Sequence, residues 1–204
     1  MSAHSHTDHL PAELEKATLE GRNKILGFWL FLGAECALFG TLFASYLALR
    51  GNNMGGPTAN ELFDLSIVAL ATFILLTSSL FSVLAVHEMH RHNLGKVRFW
   101  LAATVLFGLA FLALEIYEFV HYVHEGHTFS SSAFASSFYS LVGFHGSHVL
   151  FGVCWIALLV AQLGRKGLTV VTGPKIYVAA LYWHFIDVVW VFIFTVVYLM
   201  GKVG

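Results

Sequence analysis

Apolar residues along the chain gather into five long runs, at positions 25–49, 65–86, 97–120, 134–163 and 176–200, with short polar breaks between them. Each run exceeds the ~20 residues that a helix needs to cross a bilayer. The breaks carry turn residues: Gly51-Asn52-Asn53-Met54-Gly55-Gly56-Pro57, His90-Arg91-His92-Asn93-Leu94-Gly95, and the stretch from Gly164 to Pro174. Loops this short set sequential helices antiparallel in one bundle and leave no room for a second domain. The pattern therefore predicts an all-α fold, a polytopic membrane bundle of five transmembrane helices spanning residues 25–204, preceded by a polar tail over residues 1–24. That tail holds Asp8, Glu13, Glu15 and Glu20 and lacks the basic start and small-residue cleavage site of a signal peptide, so insertion is expected to fall to the first helix.

Composition agrees with the pattern: 57% of residues are hydrophobic and 11% charged, where a soluble domain carries about 25% charged residues. A net charge of -1 gives no overall basic field to attract nucleic acid. Position matters more than the total. Lys16, Arg22, Lys24, Arg91, Lys96, Arg98, Arg165, Lys166 and Lys175 all belong to one side of the predicted bundle, and Arg50 and Lys202 to the other. By the positive-inside rule the N-terminus is expected in the cytoplasm and the C-terminus outside. Cys36 and Cys154 each sit within an apolar run, which argues against a disulfide framework or a thiolate metal site and predicts buried, inert thiols.

Ionisable groups inside such helices cost roughly 2.5–3.5 kcal/mol each on insertion scales, so each calls for a partner or a purpose. Glu35 lies about 15 Å along the first apolar run, at mid-membrane depth. No basic residue is near it within its own helix, and it is expected to act as a hydrogen-bonding group inside the bundle. The third helix carries Glu115 and Glu118, the fourth His145 and His148, the fifth His184 and Asp187, each pair spaced i, i+3 on one face. By depth, His148, His184 and Asp187 are predicted to share a polar layer with Glu35, while Glu115 and Glu118, two like charges, need compensation. Helix-to-helix hydrogen bonding accounts for most of these groups, and a proton path is most credible at Glu35. His148 and His184 are the one pair that a haem could use, but their bulky or acidic neighbours and the lack of a second matched pair argue against it. No Cys-His cluster suits copper, so neither catalytic, cofactor-binding nor metal-ligating residues are expected in this chain. Gly27, Gly33 and Gly40 suggest close approach of a helix or lipid chain, and Trp29, Trp100 and Trp183 suggest an aromatic belt.

Four strings carry a resemblance together: Leu26-Gly27-Phe28-Trp29 with Glu35, Glu115-Ile116-Tyr117-Glu118-Phe119, Gly143-Phe144-His145-Gly146-Ser147-His148-Val149, and Tyr182-Trp183-His184-Phe185-Ile186-Asp187-Val188-Val189-Trp190. They resemble cytochrome c oxidase subunit III, from about Gly21 to the end, in the short bacterial form that lacks the first two of seven helices. The resemblance implies a subunit of a proton-pumping haem-copper oxidase in the bacterial cell membrane. Such a subunit has no active site, haem or copper of its own and packs on the catalytic subunit I, with subunit II and a small subunit IV as further partners. It implies support of proton uptake and durability during turnover, with bound phospholipid; Trp29, Tyr182, Trp183 and His184 are the expected lipid contacts. The stretch 18–24 and the closing Tyr198-Leu199-Met200-Gly201 look most like the cytochrome c oxidases of Gram-positive bacteria, with the related quinol oxidase subunit III as the alternative. A stand-alone proton-coupled transporter is more remote, since the helix interiors show neither proline nor an inverted repeat.

Overall fold

The structure is a computed structural model that describes residues 11, 13–51, 65–124 and 126–203. Residues 1–10 and 12 of the tail, and residues 52–57 of the first predicted break, lie outside the described residues. All regular structure among the described residues is helical, and five helices are long and apolar enough to cross a membrane: α1 (Leu19–Leu49), α2 (Leu65–His90), α3 (Leu94–His124), α4 (Ala133–Lys166) and α5 (Thr172–Leu199). α5 is α-helical over Thr172–Ile193, turns π-helical over Phe194–Leu199, and is followed by a last turn, Met200–Val203.

Local chemistry fixes the helix ends. Thr18 has extended backbone and its hydroxyl accepts the Gly21 N–H at 3.0 Å; Ser132 does the same for Ala135 at 3.0 Å. Asn93 Oδ1 accepts the Lys96 N–H at 3.4 Å ahead of α3. α4 stops at Gly167, whose φ of 66° is left-handed and whose N–H reaches the Leu163 carbonyl at 3.1 Å. The left-handed residue in the α2–α3 turn is His92 (φ 56°), with Gly95 already inside α3. The helices overrun the apolar runs: α1 starts at Leu19, before 25, and α3 runs from Leu94 to His124, past 97–120. Hydropathy marks where the chain is apolar, whereas a helix persists while each N–H finds its i−4 carbonyl.

α2, α3, α4 and α5 form a ring, each touching the next and α5 closing back on α2, while α1 lies outside it against α4 and α5. The most apolar window of α1 is only 11% buried, against 50% for α5. The centre of the ring is Trp183, 1% exposed. A Cβ placed at Gly108 of α3 would lie 2.7 Å from its ring, and one at Gly152 of α4 would lie 3.0 Å from it. Its Nε1–H donates to Ser78 Oγ of α2 at 2.9 Å, so one indole joins four helices. Two turns on, Trp190 Nε1–H donates to Thr72 Oγ1 at 2.9 Å, with Phe111 edge-on at 4.7 Å between ring centroids.

Several expectations need correction. Trp183 and Tyr182 are 1% and 2% exposed, so neither lies at a lipid-facing surface; close approach at Gly108 and Gly152 lets these large rings turn inward. Cys36 and Cys154 are free thiols that are exposed, because membership of an apolar run does not distinguish the core face from the lipid face. Gly27, Gly33 and Gly40 have nothing within 4 Å of a built Cβ, so no helix of this chain packs closely there, and close helix packing falls instead on Gly108, Gly146 and Gly152. Nor is the described end of the tail free. Leu14 and Glu15 are 0% and 2% exposed, with Leu14 wedged against Gly173 at the start of α5 and Glu15 bonded to His90 Nε2 at 3.1 Å.

Candidate functional site

The predicted mid-membrane layer exists as separate sites. On the outer side of α5, Glu35 of α1 places Oε2 3.2 Å from His148 Nε2 of α4, both side chains being largely covered. His148 Nδ1 lies 2.9 Å from the Phe144 carbonyl. A carbonyl only accepts, so Nδ1 carries a proton and the neutral ring presents Nε2 as an acceptor. Glu35 Oε2 therefore faces the one ring nitrogen of His148 that the Phe144 carbonyl leaves free. The contact is close but not an aligned hydrogen bond, since Glu35 Oε2 is buried without one. Tyr182 O–H donates to the His148 carbonyl at 3.2 Å and Phe39 covers the ring edge-on at 5.3 Å. Glu35 therefore finds its base on another helix.

On the opposite flank of α5, His184 Nδ1 is 2.6 Å from Ser79 Oγ of α2. The same hydroxyl reaches the Asp187 carboxyl, which is 4% exposed and has no aligned hydrogen bond at either oxygen. His184 and Asp187 do act together, as their spacing predicts. His145 and His148 do not: three residues leave about 60° between side chains, enough to point His148 at α1 and His145 into the core. His145 is 0% exposed, with Trp190 at 5.1 Å and Phe111 at 6.0 Å between ring centroids. His148 and His184 thus turn to different helices, His148 to α1 and His184 to α2.

A third group lies farther along the bundle between α3, α4 and the π-turn. Tyr122 O–H donates to Glu118 Oε1 at 2.6 Å, and Tyr198, fully buried in the π-turn, lies beside Glu115, Glu118 and Tyr122. The Glu115 carboxylate occupies the notch left by Gly146, where a Cβ would lie 2.5 Å from Oε1. The Tyr122 hydroxyl thus serves Glu118, whereas Glu115 Oε1 is buried without a hydrogen bond.

At the basic end of the bundle a groove of about 700 Å³ runs along α4, lined by Trp155, Leu158, Gln162, Arg165, Lys166 and Lys175. A hollow of about 310 Å³ beside it shares Trp155 and Lys175 and adds Lys24, Gly27 and Phe28 of α1. Cations over an apolar floor fit an anionic headgroup with acyl chains. Of the four expected lipid contacts Trp29 is exposed, His184 half-buried, and Tyr182 and Trp183 buried. Sequence reasoning missed Ser79, the Glu15–His90 contact and the part of Trp155. The run Thr77-Ser78-Ser79 inside an apolar helix was the available signal for the first.

Comparison with known proteins adds the lineage. The family model described as Cytochrome c oxidase subunit III matches residues 15–202. "Cytochrome c oxidase subunit 3" of Bacillus subtilis (strain 168) is 60% identical over 95% of this chain and 94% of its own length. The protein of the same name from Bacillus sp. (strain PS3) is 61% identical over 95% and 94%. "Quinol oxidase subunit 3" of Bacillus subtilis (strain 168) is 50% identical over 98% of both chains.

Proposed function

The chain belongs to the cytochrome c oxidase subunit III family, and from that premise we propose that it serves a cytochrome c oxidase as a subunit without redox centres, packed on the catalytic subunit. It is a multi-pass membrane protein and the third subunit of a multi-subunit haem-copper oxidase. The observation that carries the donor assignment is the higher identity to cytochrome c oxidase subunits, 60% and 61%, than to the quinol oxidase subunit, 50%. Haems and copper belong to its partners, subunits I and II, with a small subunit IV completing the assembly. The basic end faces the cytoplasm, by the positive-inside rule. Phospholipid sits in the groove beside Trp155, its phosphate toward Arg165, Lys166 and Lys175, and it contributes with the buried polar pairs to durable proton uptake by the complex.

The test is purification from native membranes through a tag on this chain, followed by an optical spectrum and oxygen consumption. Haem-bearing partners are expected, with turnover on reduced cytochrome c. Turnover on quinol alone would transfer the assignment to the quinol oxidases, and a colourless chain without partners would overturn the complex itself.

A further inference from the structure

Between α2 and α5, at the basic end, lies a cavity of about 360 Å³ lined by Val83, Val86, His87, His90, Tyr177 and His184, together with Ala180 and Leu181. Its mouth is polar: His87 and His90 are exposed, and Glu15 holds His90 Nε2 at 3.1 and 3.2 Å. Its floor is His184, whose Nδ1 is engaged by Ser79 at 2.6 Å, leaving Nε2 for the cavity. Behind Ser79 is Asp187, 4% exposed, with neither carboxyl oxygen in an aligned hydrogen bond, so the last step needs the Ser79 hydroxyl to turn from His184 to the carboxyl. Along α5 the step from Thr172 to Asp187 is roughly 22 Å, so the line ends near mid-membrane.

From this arrangement we infer that the chain contains a blind proton inlet: a hydrated cavity at the basic end joined through His184 and Ser79 to Asp187, which exchanges its proton with the aqueous phase on that side only. Each link has the required chemistry. A cavity water delivers a proton to His184 Nε2 while Nδ1 releases its own to Ser79 Oγ, and the Ser79 hydroxyl proton passes to the Asp187 carboxylate. The reverse sequence restores the tautomer, so no oxidant, second substrate or net transport is needed.

The indoles on either side of Asp187 along α5, Trp183 before it and Trp190 after it, are donors that cannot accept. Trp190 Nε1–H is spent on Thr72 Oγ1 and Trp183 Nε1–H on Ser78 Oγ, and an indole N–H offers no lone pair to continue a relay. The other titratable groups nearby are those of the mouth: His87, His90 and Tyr177 on the cavity wall, Glu15 on His90, and Glu88 with Arg91 and Lys96 at 3.8 and 3.7 Å at the end of α2. From α3, Thr104 Oγ1 donates to the Ser78 carbonyl at 3.4 Å. Apart from the membrane span, none of this rests on the oxidase assignment.

The experiment is infrared spectroscopy of the intact complex in lipid, transferred from water to heavy water. The carboxyl C=O band of Asp187 is identified as the one lost in Asp187→Asn. Its isotope shift is expected to be complete within the mixing time in wild type. In Ser79→Ala it should slow by about 10²-fold, the lower end of what a positioned proton-transfer group contributes; Ser79→Thr, which keeps the hydroxyl, should restore it. His184→Phe should slow exchange likewise, and co-purification with unchanged haem content certifies that each variant is assembled. Equal exchange in wild type and Ser79→Ala, exchange over hours in wild type, or the absence of any Asp187 carboxyl band across the neutral range would each overturn the inlet.

Discussion

Replacing Gly108 by alanine should be among the most damaging single-methyl additions in the bundle. A Cβ there would lie 2.7 Å from Trp183 Cη2 and 2.7 Å from Val153 Cγ2, about 1 Å inside the usual 3.5–4.0 Å carbon contact. The indole has nowhere to retreat: Gly152 backs it with built-Cβ contacts of 3.0 and 3.1 Å, and its N–H is tied to Ser78. Overpacking of this kind costs about 1–3 kcal/mol. Gly27→Ala is the matched control, since nothing lies within 4 Å of its Cβ and alanine favours helix by about 1 kcal/mol; it should be neutral or stabilising. Trp183→Phe removes the clashing indole atoms, leaving only the Val153 contact, while losing a hydrogen bond worth about 0.6 kcal/mol in membrane bundles. The Gly108→Ala/Trp183→Phe double variant should therefore be less destabilised than the sum of the singles by about 1 kcal/mol or more. Reversible unfolding in mixed micelles, followed by circular dichroism, measures all four. Additivity within about 0.5 kcal/mol, or Gly108→Ala matching Gly27→Ala, refutes the four-helix junction at Trp183.

Glu35→Gln keeps a hydrogen-bonding group opposite His148 and should leave assembly intact, whereas Glu35→Ala leaves His148 Nε2 facing a void and should lower recovery of complex; equal recovery of all three forms in tagged purification sinks the pairing. Gly146→Ala displaces the Glu115 carboxylate from its notch and should lower the thermal stability of the complex, and adding Glu115→Ala should relieve that loss, read as coupling in the same unfolding measurement. Leu14→Ala removes the wedge at Gly173 and should make the chain before α1 susceptible to limited proteolysis, a change absent if the segment is undocked. Arg165→Ala combined with Lys175→Ala should reduce the anionic phospholipid retained per haem by about half or more when both cations hold the headgroup; lipid analysis showing no change removes the groove from consideration.

The helices were legible from hydropathy because a bilayer demands long apolar segments, and short loops account for the succession of α2, α3, α4 and α5 around the ring; they did not foretell α1, which packs on α4 and α5 and not on its sequence neighbour α2. Which way each side chain points was not. Helices apolar on nearly every side give no amphipathic stripe from which to read a core, so Trp183 looked interfacial and Cys154 looked buried, and both were the reverse. Counting along the helices put Glu35, His148, His184 and Asp187 at similar depth, and the structure brings Glu35 to His148 across two helices. Azimuth depends on tertiary packing, and it split that level into a pair on α1 and α4 and a line on α2 and α5. The Glu15–His90 contact spans 75 positions and joins an acidic tail residue to a helix end; neither has a local pattern that announces the other.

The separation of these polar sites bears on the transporter alternative. A protein that moved protons across the membrane alone would need its buried titratable groups joined from one face to the other. Here the Asp187 line, the Glu35–His148 pair and the Glu115–Glu118–Tyr122 group sit around a column of rings, Trp183, Trp190, Phe111 and Phe138, that fills the middle of the bundle. The two indoles in that column already donate to Ser78 and Thr72 and can accept nothing. His145, the one imidazole inside the column, is flanked by Trp190 and Phe111. Rings between the sites hold the helices rigid and keep the protonable groups from forming one wire. That arrangement fits the proposed reading better than the transporter alternative: a subunit that steadies a neighbour does not need its protonable groups joined across the membrane.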